Sequence, residues 1–243
     1  MLKNMNQIIR TSLVLFSLLI GLSQTRATEG HQQKIGRILF LGNSITKHGP
    51  SAKVDWTGNW GMAASAEDKD YVHLVLRYIS EATGKQPDAM IVNIAAFERE
   101  FATYDLLKKE KAAFAFKPDV VVLAIGENVP ALKTENAKEE LKASLLKLLR
   151  ALQAENKPTI LVRSCFWPDR TKDLVLKQAC EEVGGIYVDI SNLGKDQANY
   201  ARSERTFKNS GVANHPGDKG MQAIATALIA TMKTNNLLHP AKQ

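Results

Sequence analysis

Groups that acyl transfer needs stand at four separate places in the chain. Ser44 follows Gly42-Asn43, small residues Ala95 and Ala96 follow Asn93-Ile94, Asn128 follows Gly126-Glu127, and His215 sits in Asn214-His215-Pro216-Gly217-Asp218. A serine hydroxyl attacks a carbonyl only when a base takes its proton, and a neutral histidine is such a base near pH 7. The oxyanion that then develops needs N–H donors, which backbone beside small residues and a side-chain amide supply. Together the four suggest acyl transfer, provided the fold brings them to one edge. Each also has a plain reading. Ser44 can cap a helix, Asn128 can satisfy loop backbone, and His215 can be a turn residue ahead of a helix capped by Asp218.

The elements that must position these residues are readable from apolar periodicity. Five short apolar runs, Arg37–Leu41, Met90–Ile94, Val120–Ile125, Thr159–Val162 and Ile186–Ile190, are continuous rather than alternating. That pattern fits strands of a parallel sheet buried on both faces. Helical stripes lie between or after them over Asp68–Ala82, Ala137–Glu155, Asp173–Val183 and Lys219–Met232. Alternating strands and helices predict one three-layer α/β/α sandwich, with ligands beyond the carboxyl ends of the strands. Ser44, Ala95 and Asn128 all follow predicted strands, and His215 precedes the last helix.

In that order the blocks resemble the SGNH, or GDSL-type, hydrolase family over nearly the whole length. Gly42-Asn43-Ser44-Ile45-Thr46 is similar to the family's first block, usually Gly-Asp-Ser; Gly126-Glu127-Asn128 to its third; and His215-Pro216 to its last. The resemblance implies a flavodoxin-like sandwich of about five parallel strands. It implies Ser44 as nucleophile and N–H donor, Asn128 as side-chain donor and His215 as base. Ala95 or Ala96 stands where the family places a donor glycine; an alanine keeps the N–H when φ is negative. Val212 stands where the family usually has an aspartate three residues before the histidine. A backbone carbonyl near Val212 could then hold the ring, as in dyad carbohydrate esterases of this superfamily. A distant acid, Glu127, Glu98 or Asp169, is the second reading, and a lapsed site the third. The dyad is the favoured one.

Other residues are candidates for binding or orientation. Asn43, Glu127 and His48 lie beside the blocks, and Trp167 follows the fourth strand. Trp56 and Trp60 fall in the irregular segment 49–67 after Ser44. Indoles at this edge would stack on sugar rings or simply pack. The polar segment 193–214 carries Tyr200, Arg202 and Arg205 and leads into His215; the arginines would meet a polar leaving group or face solvent. Both segments border the nucleophile and are expected to set substrate choice. Cys165 and Cys180 can form a disulfide or remain two buried thiols. No His, Cys or carboxylate cluster has metal-ligand spacing, and neither metal nor cofactor is expected.

The 243 residues, 44% of them hydrophobic, exclude disordered, collagen-like and coiled-coil classes. Residues 1–27 hold Lys3, Arg10 and Arg26, no acid, and the uncharged run TSLVLFSLLIGL from Thr11 to Leu22. That run is shorter than the roughly 20 residues of a membrane span and suits a signal peptide cut after Ala27. Residues 28–243 then form one exported domain, periplasmic or secreted, without stable membrane insertion. Removing the three bases lowers the formal net charge from +7 to +4. With no basic block, nucleic acid is not an expected partner. The sequence carries no signal for oligomeric state. The expected function is hydrolysis of a small acyl ester, an acetyl ester of a carbohydrate by analogy, through an acyl-enzyme on Ser44. The alternatives are a carbohydrate-binding protein with impaired chemistry, and a short-chain lipid esterase or lysophospholipase.

Overall fold

Five strands of mostly branched apolar residues pair side by side in a computed structural model that describes residues 35–238. The strands are β1 (Arg37–Gly42), β2 (Asp88–Asn93), β3 (Val120–Ala124), β4 (Thr159–Arg163) and β5 (Ile186–Val188), all parallel in the order β2-β1-β3-β4-β5. The expected signal peptide lies outside the described residues.

Alternate side chains of each strand enter different cores, so no strand has a polar face. Ile38, Phe40, Val120 and Val122 pack with α1 (Tyr71–Thr83) and α8 (Asp218–Thr234). Leu39, Leu41, Val121 and Leu123 pack with α5 (Glu135–Asn156) and α6 (Arg170–Glu182). This is the sandwich that the sequence predicts, and the helix and strand boundaries agree to within a few residues. Short helices that periodicity cannot reveal, α2 (Ala95–Glu100), α3 (Leu106–Lys109), α4 (Lys111–Ala115) and α7 (Ser210–Ala213), fill the connections.

The strand order reverses between β1 and β3, where open α/β sheets form their ligand crevice. Parallel register puts Asn93, Gly42 and Ala124 in one row across the sheet. The residues two further on, Ala95, Ser44 and Gly126, therefore emerge at one rim. Glycine is required twice there. A Cβ on Gly42 would strike Thr46, and Gly126 combines a φ of +125° with direct contact to Cys165. The thiols of Cys165 and Cys180 are both free and buried, so the two-thiol alternative is the one observed.

The two irregular segments pack on each other beside this rim. Trp56, Met62 and Ala63 of the first meet Ala201 and Val212 of the second in a small apolar cluster. Asp70, the N-cap of α1, also accepts from Gly61 N–H at 2.9 Å and ties the first segment down. At α8 the Asp218 cap of the plain reading is not what forms. Glu204 instead accepts from the N–H groups of Asp218 and Lys219, both at 2.8 Å, while Asp218 binds Ser65. A carboxylate from the second segment thus holds the helix start three residues after His215, where the helix dipole favours negative charge.

Candidate active site

Ser44 and His215, 171 residues apart in sequence, meet across the rim with Oγ 2.7 Å from Nε2. Ser44 caps no helix; it sits in a turn closed by the Thr46 and Lys47 N–H groups on the Asn43 carbonyl. The other ring nitrogen, Nδ1, lies 2.8 Å from the Gly211 carbonyl in α7. A carbonyl can only accept, so Nδ1 carries the hydrogen and Nε2 presents its lone pair to the serine hydroxyl. Burial lowers the affinity of the ring for a proton, against the pull of the Gly211 carbonyl and of Glu127.

Among the described residues no carboxylate touches the ring. Val212, at the expected acid position, is buried in the cluster with Trp56 and Met62. Asp169 caps α6 through the Thr171 and Lys172 N–H groups. Glu127 reaches Arg163 at 2.6 Å, the Phe166 N–H at 2.9 Å and Asn43 at 2.7 Å. It is therefore part of the support beneath the serine turn, not an orienter of His215. Burial would raise the Glu127 carboxyl, but the Arg163 guanidinium and these N–H donors hold it below the usual range.

Two N–H donors beside the Ser44–His215 pair still have a hydrogen to give, Ser44 N–H and the Asn128 amide. The Ser44 N–H has no partner among the described residues. Asn128 lines the cleft, and its Nδ2 gives one hydrogen to Glu98 Oε2 at 2.7 Å, leaving the second free. Ala95 lines the same cleft, but its N–H is already taken by Asn93 Oδ1 at 2.9 Å. The next N–H, that of Ala96, belongs to the first turn of α2, where the helix offers no acceptor.

Asn43 is fully buried and bridges two acids, donating to Glu127 and, at 3.2 Å, to Glu98. Burial and the neighbouring Glu127 push the Glu98 carboxyl up, opposed by Asn128 and Gly126. An amide here, rather than the family's usual aspartate, gives both carboxylates a donor. Glu98 as a support of Asn128 and Arg163 as the counter-ion were not foreseen in those roles, whereas a backbone carbonyl near Val212 was expected to hold the ring, and Gly211 supplies it. The available signals were a glutamate in the first turn after the second strand and an arginine ending the apolar run of the fourth. A backbone carbonyl leaves no signal in side-chain types.

His48 lines the cleft, with Nδ1 2.6 Å from the Gly49 carbonyl. Trp167 meets the His215 ring edge to face at 5.3 Å and donates to the Asn214 carbonyl at 3.2 Å. Trp56 and Trp60 pack against one another, and their indole N–H groups go to the backbone of His48 and Ala64. Arg202 and Arg205 are likewise structural, bound to Asn214 and Gln197 and to the Ala63 carbonyl. The cleft itself, about 400 Å³, also takes in Lys53, Arg99, Met62 and Asn209. Among the described residues no cluster of three His, Cys, Asp or Glu could hold a metal ion.

No curated protein matches the sequence. Among solved structures, a protein from Bacteroides uniformis described as a GDSL-like lipase is similar at a TM-score of 0.53 and 12% identity, covering 82% of this chain and 96% of that one. An acetyl xylan esterase from the rumen bacterium Butyrivibrio proteoclasticus is similar at 0.51 and 13% identity, covering 82% and 63%. A family two carbohydrate esterase from Clostridium thermocellum, in complex with cellohexaose, is similar at 0.57 and 15% identity, covering 82% and 64%. The chain thus spans less than two thirds of the two esterases' length, and at these identities the likeness is one of fold. The GDSL-like lipase/acylhydrolase pattern, by contrast, matches the sequence itself over residues 40–223, from β1 into α8. That span holds both members of the Ser44–His215 pair. The chain is an ester hydrolase of the SGNH type and belongs to the GDSL-like lipase/acylhydrolase family.

Proposed function

We propose that the protein removes small acyl groups, acetyl first, from a carbohydrate, using Ser44 and His215 as a dyad. The observation that carries the reading is the chain of contacts from Ser44 Oγ to His215 Nε2, and from Nδ1 to the Gly211 carbonyl. Ser44 Oγ attacks the ester carbonyl as its proton passes to Nε2. The negative charge on the carbonyl oxygen falls to the Ser44 N–H and the free Asn128 Nδ2 hydrogen. Collapse breaks the bond to the alcohol oxygen, which leaves with the proton from Nε2. Water, deprotonated by the same nitrogen, then releases the acid and restores the serine.

A carbonyl can stand in for the aspartate because the larger part of that residue's work is to fix the tautomer. In serine proteases, Asp to Asn costs about 10⁴ in kcat because the ring is held in the wrong one. The Gly211 carbonyl selects the right one, though without a negative charge it stabilises the imidazolium less. The carbohydrate part of the proposal is supported by the named activities of the similar structures and by Trp167 at the dyad. The Thr11–Leu22 run supports action in the periplasm or outside the cell.

The test is hydrolysis of 4-nitrophenyl acetate by the purified protein beside Ser44→Ala and His215→Ala. Both variants should fall to background, and a fluorophosphonate should label wild type at Ser44. Undiminished turnover by Ser44→Ala would overturn the reading.

A further inference from the structure

The cleft around Ser44 carries positive charge with no acid to answer it. Arg99 and Lys53 line it together with the His48 ring, and no Asp or Glu does. Both cationic side chains are exposed, and neither has an ion pair or hydrogen bond among the described residues. Elsewhere on the surface Lys117, Lys138, Lys142 and Arg150 are each paired with a glutamate. The acids near the cleft are already engaged. Glu127 is neutralised by Arg163, Glu98 is buried under N–H donors, and Asp55, close to Lys53 in sequence, pairs with Lys208.

We propose that this cleft selects esters whose carrier bears an anionic group, a carboxylate before others, so that the natural substrate is an acylated acidic glycan. The proposal rests on the esterase reading of Ser44 and His215 and deepens it. A neutral sugar filling the cleft would replace water on Arg99 and Lys53 with hydroxyls that leave both charges uncompensated. A carboxylate instead meets a planar guanidinium that matches it bidentately, with an ammonium lining the same cleft. A positively charged cleft also raises the local concentration of anionic substrate before contact. Arg99 and Lys53 would then be specificity residues, separate from the groups that handle the reacting carbonyl.

The experiment uses two ester pairs that differ by one carboxylate: 4-acetoxybenzoate against its methyl ester, and the mono-4-nitrophenyl ester of adipate against 4-nitrophenyl hexanoate. The first places the anion on the alcohol, the second on the acyl group. Each kcat/KM is divided by the hydroxide-catalysed rate of the same ester. The anionic member of the first pair should lead by about fivefold at low salt, in line with two exposed charge contacts. A lead confined to the second pair would put the anion on the acyl group and overturn the acidic-glycan assignment. The lead should shrink towards one in about 0.5 M NaCl and in the Lys53→Ala/Arg99→Ala double variant, while Arg99→Lys keeps part of it. Ratios within a pair cancel any loss of folded enzyme. Ratios at or below one in both pairs, with turnover still dependent on Ser44, would end this proposal and leave the esterase standing. No Ser44-dependent turnover of any of the four esters would end both.

Discussion

Glu98 grips Asn128 twice, its Oε2 accepting from the side-chain Nδ2 at 2.7 Å and its Oε1 from the backbone N–H at 3.2 Å. The same Oε1 accepts from Gly126 N–H at 2.6 Å and from Asn43 Nδ2 at 3.2 Å. An ionised carboxylate can only accept, and the Asn128 nitrogen, not its oxygen, faces Glu98. The amide's second hydrogen is thereby left for the cleft. One buried acid fixes the turn after β1, the turn after β3 and the orientation of the amide donor.

Glu98 is on this view a positioning residue, acting through Asn128. In Glu98→Gln one oxygen becomes an NH₂ group, which opposes either Gly126 N–H or the Asn128 amide. The kcat for 4-nitrophenyl acetate should fall by roughly 10- to 100-fold, with KM changed by less than about twofold, since the lost stabilisation belongs to the transition state. Asn128→Ala should lose about 10²–10³. In the double variant the Glu98 change should add little, because its target is gone. Full additivity in that cycle would show that Glu98 acts by another route.

Asn43 separates two buried carboxylates, and Asn43→Asp would add a third while deleting their shared donor. The cost should be about 3 kcal/mol, as for an uncompensated buried charge, which lowers Tm by about 6–12 °C for a domain of this size. The new carboxyl would have its folded pKa raised above the unfolded value. The variant's stability relative to wild type is therefore best at acid pH and worsens as pH rises through that folded value. Thermal unfolding of the two proteins between pH 4 and pH 8 measures both effects. A gap that does not widen with pH would mean that the carboxylates are not the cause.

The layers and the rim were legible in the sequence because burial on both faces turns strands into continuous apolar runs, and because glycines mark the turns after β1 and β3. Ser44, Asn128 and His215 could be placed at one edge from that alone. What could not be read is how the buried polar groups pair. By residue type Glu127 suits His215 and Asn43 equally, and only the packing of Arg163 at the end of β4 decides. A carbonyl near Val212 was the expected holder of the ring, but residue types do not single out Gly211, since every residue possesses a carbonyl. Ala95 fails as a donor because the preceding Asn93 side chain folds back onto its N–H, a local choice that residue types do not fix. The tryptophans divide similarly, two into packing and one onto the dyad.

The pH dependence of activity follows from the environment of His215. Burial holds its pKa below the ordinary 6.5, and the Gly211 carbonyl opposes this without a full charge. Only the neutral ring accepts the serine proton. The kcat/KM should therefore rise with pH along a single limb centred below 6.5 and stay flat through neutrality. A midpoint above pH 7 would mean that a carboxylate reaches the imidazolium. The same shift links to folding. Below 6.5 the unfolded chain binds the proton first, so the stability from this residue is present above that value and is lost as pH falls through the folded pKa. His73 works with the opposite sign, raised chiefly by its hydrogen bond to Asp70, so kinetics isolates His215 more cleanly than unfolding does.

Restoring the family's usual acid by Val212→Asp should fail as a gain of function. Val212 is 2% exposed and packs with Trp56, Met62, Ala63 and Ala201, and the acceptor of the ring's Nδ1 is already in place at Gly211. An aspartate there would be buried among apolar groups and would remain uncharged or disrupt the cluster. Its loss of packing would loosen the contact between the two segments that flank Ser44 and His215. Stability should fall by about 2–4 kcal/mol, and kcat should not exceed that of wild type. Urea unfolding together with 4-nitrophenyl acetate kinetics checks both. A Val212→Asp enzyme with higher kcat and unchanged stability would show that the position faces the ring, and that the dyad is an incomplete triad rather than a site built around a backbone carbonyl.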